Sequence, residues 1–164
     1  MPDRPVMVGG AALMVLTLLA LAGEIAAIGL DWKALLGAWM LLGIGFSAVL
    51  TPSGRLLRRS AHAEDRPALF AAQFALSHAC WLVTYPFSGW LMTQFGPIAA
   101  LVVLAALAGV GALFALRVWP KDDPEIFEHT HDNLPLGHPH LQGERRHAHR
   151  YVVDEEHPRW ASQL

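Results

Sequence analysis

Cysteine and charge are both scarce in this chain of 164 residues, and each shortage excludes a class of protein. The one cysteine, Cys80, lies in an apolar run, so an intrachain disulfide framework is excluded. Charged residues make up 16 % of the chain and hydrophobic residues 54 %, which is not the composition of a soluble domain. Because the sequence also lacks a nucleophile–base set and a nucleotide-binding loop, neither an enzyme nor a nucleic-acid partner is expected.

The charges that are present divide the chain into two parts. Residues 1–120 hold seven Lys and Arg and five Asp and Glu. Residues 121–164 hold five basic residues, nine acidic residues and seven of the nine histidines. We therefore expect a transmembrane region over 1–120, joined to a His-rich acidic tail over 121–164.

Four apolar stretches of the first part approach the roughly 20 residues that a membrane-spanning helix needs. The connections 31–33 and 93–96 are short enough for tight helical hairpins, whereas the connection 51–67 is longer and charged. The four predicted spans are residues 6–30, 34–50, 68–92 and 97–119. The expected fold is an all-α membrane protein with four transmembrane helices in antiparallel hairpins and a largely disordered cytoplasmic tail.

Basic residues fall almost entirely on one side of the predicted spans. Seven lie on that side and only Lys33 lies on the other. Because Lys and Arg concentrate in short cytoplasmic loops, we expect a multi-pass protein of the bacterial inner membrane with both termini in the cytoplasm. The lipid bilayer is then its first partner. The seven residues are Arg4, Arg55, Arg58, Arg59, Arg66, Arg117 and Lys121.

Polar side chains collect on one face of the third predicted span. At helical spacing they fall within an arc of about 140°, and such a stripe is costly if it faces lipid. We therefore expect it to face other helices or a watery pathway. The predicted pathway residues are Gln73, Ser77, His78, Trp81, Thr84, Tyr85 and, in the first span, Glu24.

Two of these residues keep two interpretations each. His78 is ionisable and lies near mid-span, so it is a ligand or proton carrier in a pathway, or it makes an interhelical hydrogen bond. Glu24 either lines a cavity or reaches the membrane interface. In the second span, Gly37, Gly43 and Gly45 are expected to let helices pack closely.

Three His-x-His pairs recur in the tail, each beginning nine residues after the previous one. Residues i and i+2 of an extended chain point to the same side, so two pairs brought together would present four nitrogens to one ion. The predicted ligands are His129, His131, His138, His140, His147 and His149. Oxygens of Glu128, Asp132 and Glu144 are further candidate donors.

Imidazole suits Ni²⁺, Zn²⁺, Co²⁺ and Cu²⁺. The absence of cysteine from the tail argues against a closed structural zinc site and favours weak, exchangeable binding. The alternative interpretation is a solubilising tail that binds no metal.

The run 43-GIGFSAVLTPSGRLLRRS-60, followed by 66-RPALFAAQFALSHACWLVTYPFSGWL-91, resembles the C-terminal part of bacterial major facilitator superfamily transporters. It is similar to their tenth and eleventh helices. The segment 89-GWLMTQFG-96 keeps the Gly-x-Leu-x-x-x-x-Gly spacing of the family's loop signature, although Thr93 and Gln94 replace its charged positions. The resemblance covers roughly residues 6–120 and implies helices nine to twelve of a twelve-helix secondary transporter.

Two functions are compatible with these observations. The first is transmembrane transport, as the C-terminal part of a secondary transporter such as a metal or drug efflux permease. Because the family's pathway lies between two six-helix halves, its partners would be the missing transporter helices or further copies of itself. The second is a small membrane-anchored metal-binding or adaptor protein. Neither function requires a cofactor.

Overall fold

The computed structural model describes residues 3–119, 121, 126–131, 134–135, 137–141, 144–152 and 154–157. Within these residues, three long helices precede a small two-stranded sheet. The helices are α1 (Asp3–Ile28), α2 (Trp32–Arg59) and α3 (Arg66–Val118). The strands are β1 (Ile126–Thr130) and β2 (Arg146–Arg150), with a 3₁₀ helix at Pro139–Leu141 between them.

All three helices of the described chain are long and apolar enough to cross a membrane. At about 1.5 Å per residue, α1 and α2 each reach about 40 Å, and the 53 residues of α3 would reach about 80 Å. Gly96 interrupts α3 with φ 81° and ψ 174°, a backbone conformation that glycine adopts most readily. α3 therefore consists of two helical segments, 66–95 and 97–118. The prediction of long apolar helices is confirmed, and the break lies at the predicted boundary between the last two spans.

The second helix is longer than its predicted span. Asp31 caps its first turn, because its carboxylate accepts hydrogen bonds from the backbone N–H groups of Lys33 and Ala34, both at 3.0 Å. Arg58 and Arg59 lie in its last turn, where positive charge favours the helix dipole. The helix therefore continues to Arg59, so residues 51–59 of the predicted connection over 51–67 are helical. The connection is residues 60–65.

Two glycines let α1 and α2 approach backbone to backbone. A Cβ atom on Gly45 would lie 2.6 Å from Cγ of Met14, and one on Gly10 would lie 2.7 Å from the carbonyl oxygen of Gly45. The packing role predicted for Gly45 is confirmed. A Cβ atom on Gly37 or Gly43 would meet nothing within 4 Å, so these two positions make no such close approach.

Contacts between helix ends gather the basic residues at one end of the helical region. The guanidinium of Arg4 donates to the carbonyl oxygen of Leu116 at 3.4 Å, which joins the start of α1 to the end of α3. Arg55 of α2 forms an ion pair with Asp3 of α1. The start of α1, the last part of α2 and the end of α3 therefore lie together.

The tail contains a β-hairpin. β1 and β2 are antiparallel, with a register that runs from Ile126 opposite Arg150 to Thr130 opposite Arg146. The guanidinium of Arg146 donates to both carboxylate oxygens of Glu128, at 2.8 and 3.0 Å. In the described residues of the tail, the prediction of a largely disordered segment is therefore wrong, whereas the helical region agrees with an all-α membrane protein.

The physical reason is that imidazole rings act as the core of this small unit. His129 and His157 are 8 % and 3 % exposed, comparable with the buried Leu141 and Val152. Counting aliphatic residues alone therefore underestimates what the tail can bury. The tail also contacts the helical region, since Nε2 of His62 in the 60–65 connection lies 3.1 Å from a carboxylate oxygen of Asp154.

Candidate functional site

The hairpin register brings two of the three predicted histidine pairs together. His129 of β1 lies directly opposite His147 of β2. Side chains alternate along a strand, so His131 and His149, two residues further on, belong to the same face. The hairpin spans the eighteen residues between His129 and His147, and it brings these two pairs to the same face.

The third pair is divided. His140, in the 3₁₀ helix, places Nε2 3.0 Å from Nε2 of His131 and 3.2 Å from the Nε2 atoms of His147 and His149. His138 does not join this cluster, because its Nε2 lies 3.8 Å from Glu156 and its Nδ1 accepts from the backbone N–H of His140 at 3.4 Å. The structure therefore does not support His138 as a ligand.

His157 belongs to the cluster, although its place outside any His-x-His pair hid it from the sequence analysis. Its Nε2 lies 2.9 Å from Nε2 of His129. Asp154 holds it in place, because one carboxylate oxygen accepts from both the backbone N–H (2.8 Å) and Nδ1–H (2.9 Å) of His157. The sequence pattern that could have predicted His157 is Asp-x-x-His, directly after the apolar residues 151–153.

Oxygen acceptors fix the tautomers of five rings in the cluster. Each of these rings places Nδ1 within hydrogen-bonding distance of a carbonyl or carboxylate oxygen, which can only accept a proton. The five pairs are His129 with Phe127 O (3.1 Å), His140 with Glu156 Oε2 (2.9 Å), His147 with Glu144 O (3.2 Å), His149 with Arg150 O (2.6 Å) and His157 with Asp154 Oδ1 (2.9 Å). In the neutral ring, Nε2 therefore keeps its lone pair, and the lone pairs converge.

Burial favours the neutral form of three rings of the cluster, those of His129, His131 and His140. It lowers the pKa of His129 to about 4, and the neighbouring histidines His149, His157 and His131 act in the same direction. Burial also lowers the pKa values of His131 and His140, although Glu156 opposes the shift at His140. Neutral imidazole is the form that binds a metal ion, so the lowered pKa values of these three rings favour metal binding at neutral pH.

Two acidic residues that were not predicted lie beside the cluster in the described part of the tail. Glu128 pairs with Arg146, Glu144 contributes its backbone oxygen to His147, and Asp132 lies outside the described residues. Asp154 and Glu156 contact the rings instead. Burial raises the pKa of Asp154, but hydrogen bonds from His62 and His157 outweigh it and lower the pKa to about 2.

A cavity of about 240 Å³ borders the cluster. Its lining includes the rings of His62, His140 and His147 and the carboxylates of Asp154 and Glu156. Arg150 also lines it, so the cavity combines carboxylate oxygens and ring nitrogens with one basic residue.

The predicted pathway residues of α3 lie along one exposed aromatic face. The ring of His78 stacks 3.8 Å from that of Phe74 and lies 5.0 Å from Trp81, which is 6.2 Å from Tyr85. Nδ1–H of His78 donates to the carbonyl oxygen of Phe74 at 2.8 Å, within the same helix. The interhelical hydrogen bond considered for His78 is therefore not observed in the described chain.

The other predicted pathway residues differ in exposure. Gln73 and Ser77 are half-buried, and the Ser77 hydroxyl donates to the same Phe74 carbonyl at 2.8 Å. Thr84 is exposed like its aromatic neighbours. Glu24 of α1 is half-buried, and no hydrogen bond joins it to the stripe within the part of the chain that the structure describes.

Comparison with known families finds a match between residues 1–145 and the Major Facilitator Superfamily. The matched range contains all of α1, α2 and α3 and continues through β1. No curated protein and no solved structure matches the chain.

Proposed function

Because the chain belongs to the major facilitator superfamily, whose members are membrane transporters and not enzymes, we propose that it works as part of a secondary transporter with a metal-binding cytoplasmic tail. The chain has a multi-pass helical region, as this family requires. Beyond family membership, three features are proposed: the arrangement of the spans, the residues of the pathway and the metal that the tail binds.

We propose that α3 crosses the membrane twice. Its length of about 80 Å exceeds the hydrocarbon core of about 30 Å more than twofold. The break at Gly96 divides it into segments of a length that can each span, and the contact between Arg4 and Leu116 brings its end back to the start of α1. Segments 66–95 and 97–118 would then be the third and fourth spans and correspond, with α1 and α2, to helices nine to twelve of the family.

The orientation is supported by the cluster of basic residues. Arg4, Arg55 and Arg117 all lie at the end where the helices meet through the Arg4 and Arg55 contacts. Because such residues are retained on the cytoplasmic side, this end and the tail that contacts it through His62 are assigned to the cytoplasm of a bacterial cell.

The stripe around His78 is the proposed wall of the substrate pathway. Its rings are exposed on segment 66–95, although exposure of polar groups to lipid is unfavourable. Further transporter helices, from another chain or from copies of this one, would cover it. Glu24 would line the same pathway from α1.

One observation carries the metal proposal: Nε2 atoms whose Nδ1 partners fix them as acceptors lie 2.9–3.2 Å from one another. Lone pairs at this distance repel, unless a cation lies between them. Metal-binding histidines commonly donate their other ring nitrogen to a carboxylate or carbonyl in this way. The tail is therefore proposed to bind a divalent transition-metal ion, and the cargo of the transporter is proposed to be the same ion.

The test is calorimetric titration of the full chain, purified in detergent, with Ni²⁺ and Zn²⁺. We expect binding at micromolar metal, and a loss of roughly 100-fold or more in affinity for the His129→Ala/His131→Ala double variant, because two ligands are removed. His138→Ala is the matched control and should bind as the unaltered chain does. Absence of binding to the unaltered chain would rule out the metal proposal. Metal binding without transport by a complete assembly would favour the membrane-anchored metal-binding protein.

A further inference from the structure

Six imidazole rings of the tail surround one point. In this group every ring has four neighbours whose ring centroids lie 4.7–5.3 Å away, which gives twelve pairs. The six residues are His129, His131, His140, His147, His149 and His157. Six points with four near neighbours each are the vertices of an octahedron, which has twelve edges.

The remaining pairs behave as opposite vertices. The rings of His129 and His140 are 6.4 Å apart, well beyond the spacing of the twelve near pairs. Opposite vertices of an octahedron are separated by about 1.4 edge lengths, which agrees with this distance. His131 then lies opposite His149, and His147 lies opposite His157.

The nitrogen separations indicate the same coordination number. Imidazole nitrogen binds a divalent metal at about 2.0–2.1 Å, which places adjacent nitrogens about 3.0 Å apart around six-coordinate metal and about 3.4 Å apart around tetrahedral metal. The Nε2 atoms of neighbouring rings lie 2.9, 3.0, 3.0, 3.2 and 3.2 Å apart. Ligand nitrogens of five of these histidines lie within 4.8 Å of one another, one more ligand than a tetrahedral ion accepts.

We infer that the tail holds one octahedral centre of six imidazole nitrogens, which takes Ni²⁺ or Co²⁺ in preference to Zn²⁺. This inference rests on the proposed metal binding and adds its geometry and the class of ion. Zn²⁺ favours four ligands in protein sites, Cu²⁺ favours a tetragonal arrangement, and Mg²⁺, Ca²⁺ and Mn²⁺ favour oxygen. Between the two remaining ions, Ni²⁺ binds more tightly to a given set of nitrogen ligands.

The six ligands come from four separate pieces of the chain. β1 supplies His129 and the residue directly after this strand is His131, β2 supplies His147 and His149, the 3₁₀ helix supplies His140, and the turn closed by Asp154 supplies His157. Such a site closes the hairpin, its connecting loop and the following segment around a single ion. The carboxylates of Asp154 and Glu156, each bonded to a ligand ring, place negative charge beside the cation.

The test is the visible absorption spectrum of the full chain in detergent after loading with Co²⁺. An octahedral centre gives weak d–d bands because the ion lies at a centre of symmetry, whereas a tetrahedral centre gives intense ones. We expect weak bands and one ion per chain. Intense bands would overturn the octahedral inference and leave the proposed metal binding intact. Failure to bind Co²⁺, Ni²⁺ or Zn²⁺ would overturn both.

Two further measurements identify the ion and the sixth ligand. In equimolar Ni²⁺ and Zn²⁺, the chain should retain Ni²⁺, and preferential retention of Zn²⁺ would contradict the inference. His157→Ala should lower the affinity for Ni²⁺ by roughly tenfold or more, whereas His138→Ala should leave it unchanged. Unchanged affinity in either His157→Ala or His147→Ala would show that fewer than six rings bind. The spectrum of the unaltered chain tests the geometry even if a variant fails to fold.

Discussion

The helical region and the tail use histidine in opposite ways. In α3, His78 satisfies Nδ1 within its own helix and presents its ring on an exposed aromatic face. In the tail, six histidines direct their rings toward one another. The helices obtain their backbone hydrogen bonds locally and need no ligand to form, whereas the hairpin is short and its core consists of titratable rings. Order in the tail should therefore depend on metal and pH, and order in the helices should not.

A fall in pH should lower the stability of the tail much more than that of the helices, most strongly in the metal-free chain. The pKa of His129 is about 4 in the folded tail and 6.5 in the unfolded reference, so the unfolded state binds more protons between these values. The tail is then most stable above pH 6.5 and loses stability as the pH falls toward 4. The pKa values of His131 and His140 shift in the same direction. Asp154, with a pKa of about 2, stays ionised throughout this range.

Hydrogen exchange measured between pH 7 and pH 4 would check this expectation. Amides of β1 and β2 should lose protection while those of α1 and α2 keep it, after correction for the intrinsic effect of pH on exchange. Bound metal should shift the transition to lower pH, because protons and metal compete for the same nitrogens. Equal behaviour of strands and helices would remove the proposed difference between the regions.

Transport should separate the roles of His78 and the tail. In a reconstituted complete transporter, His78→Ala should reduce the transport rate by roughly tenfold, because it removes the ionisable group of the proposed pathway. It should leave metal binding by the tail unchanged. Thr93→Ala is a suitable control on the same segment, since Thr93 lies outside the polar arc and its hydroxyl donates to the carbonyl of Trp90, at 3.0 Å, in its own helix. An unchanged rate for His78→Ala would assign the stripe to packing.

A larger residue at the glycine contact should destabilise the helices alone. In Gly45→Leu, the new side chain must displace Met14 and the backbone of Gly10, and overpacking of this kind costs about 1–3 kcal/mol. Gly43→Leu is the matched control, because its Cβ atom meets open space. Thermal unfolding in detergent should therefore show a lower midpoint for Gly45→Leu only. Equal midpoints for the two variants would show that α1 and α2 do not depend on this contact.

The helices were more predictable from the sequence than the tail was, for a physical reason. Hydropathy is a local property, so it located α1 and the segments on both sides of Gly96, although it ended α2 nine residues early at Leu50. The convergence of the pairs at His129 and His147 also followed from strand alternation, once a hairpin joined them.

The composition of the cluster was less predictable, because it depends on contacts between distant residues. His138 and His140 form the same motif as the other pairs, yet the 3₁₀ helix turns only His140 inward. His157 enters through a turn that Asp154 closes after β2 has already paired. No spacing rule predicts the inward position of His140 or the entry of His157, since both depend on contacts between the hairpin and residues distant in sequence.

Removal of the bond between His62 and Asp154, which links the two regions, should have the smallest effect on metal binding. His62 is half-exposed and lies outside the six-ring cluster, so His62→Ala should change the affinity for Ni²⁺ by no more than about twofold. It should loosen the tail from the 60–65 connection, since the bond to Asp154 at 3.1 Å is lost. Spin labels on Ala63→Cys and Glu155→Cys, in a Cys80→Ser background, would report a broader distance distribution. A distribution as narrow as before would mean that other contacts hold the tail in place, and a large loss of affinity would mean that the two regions are coupled through this bond.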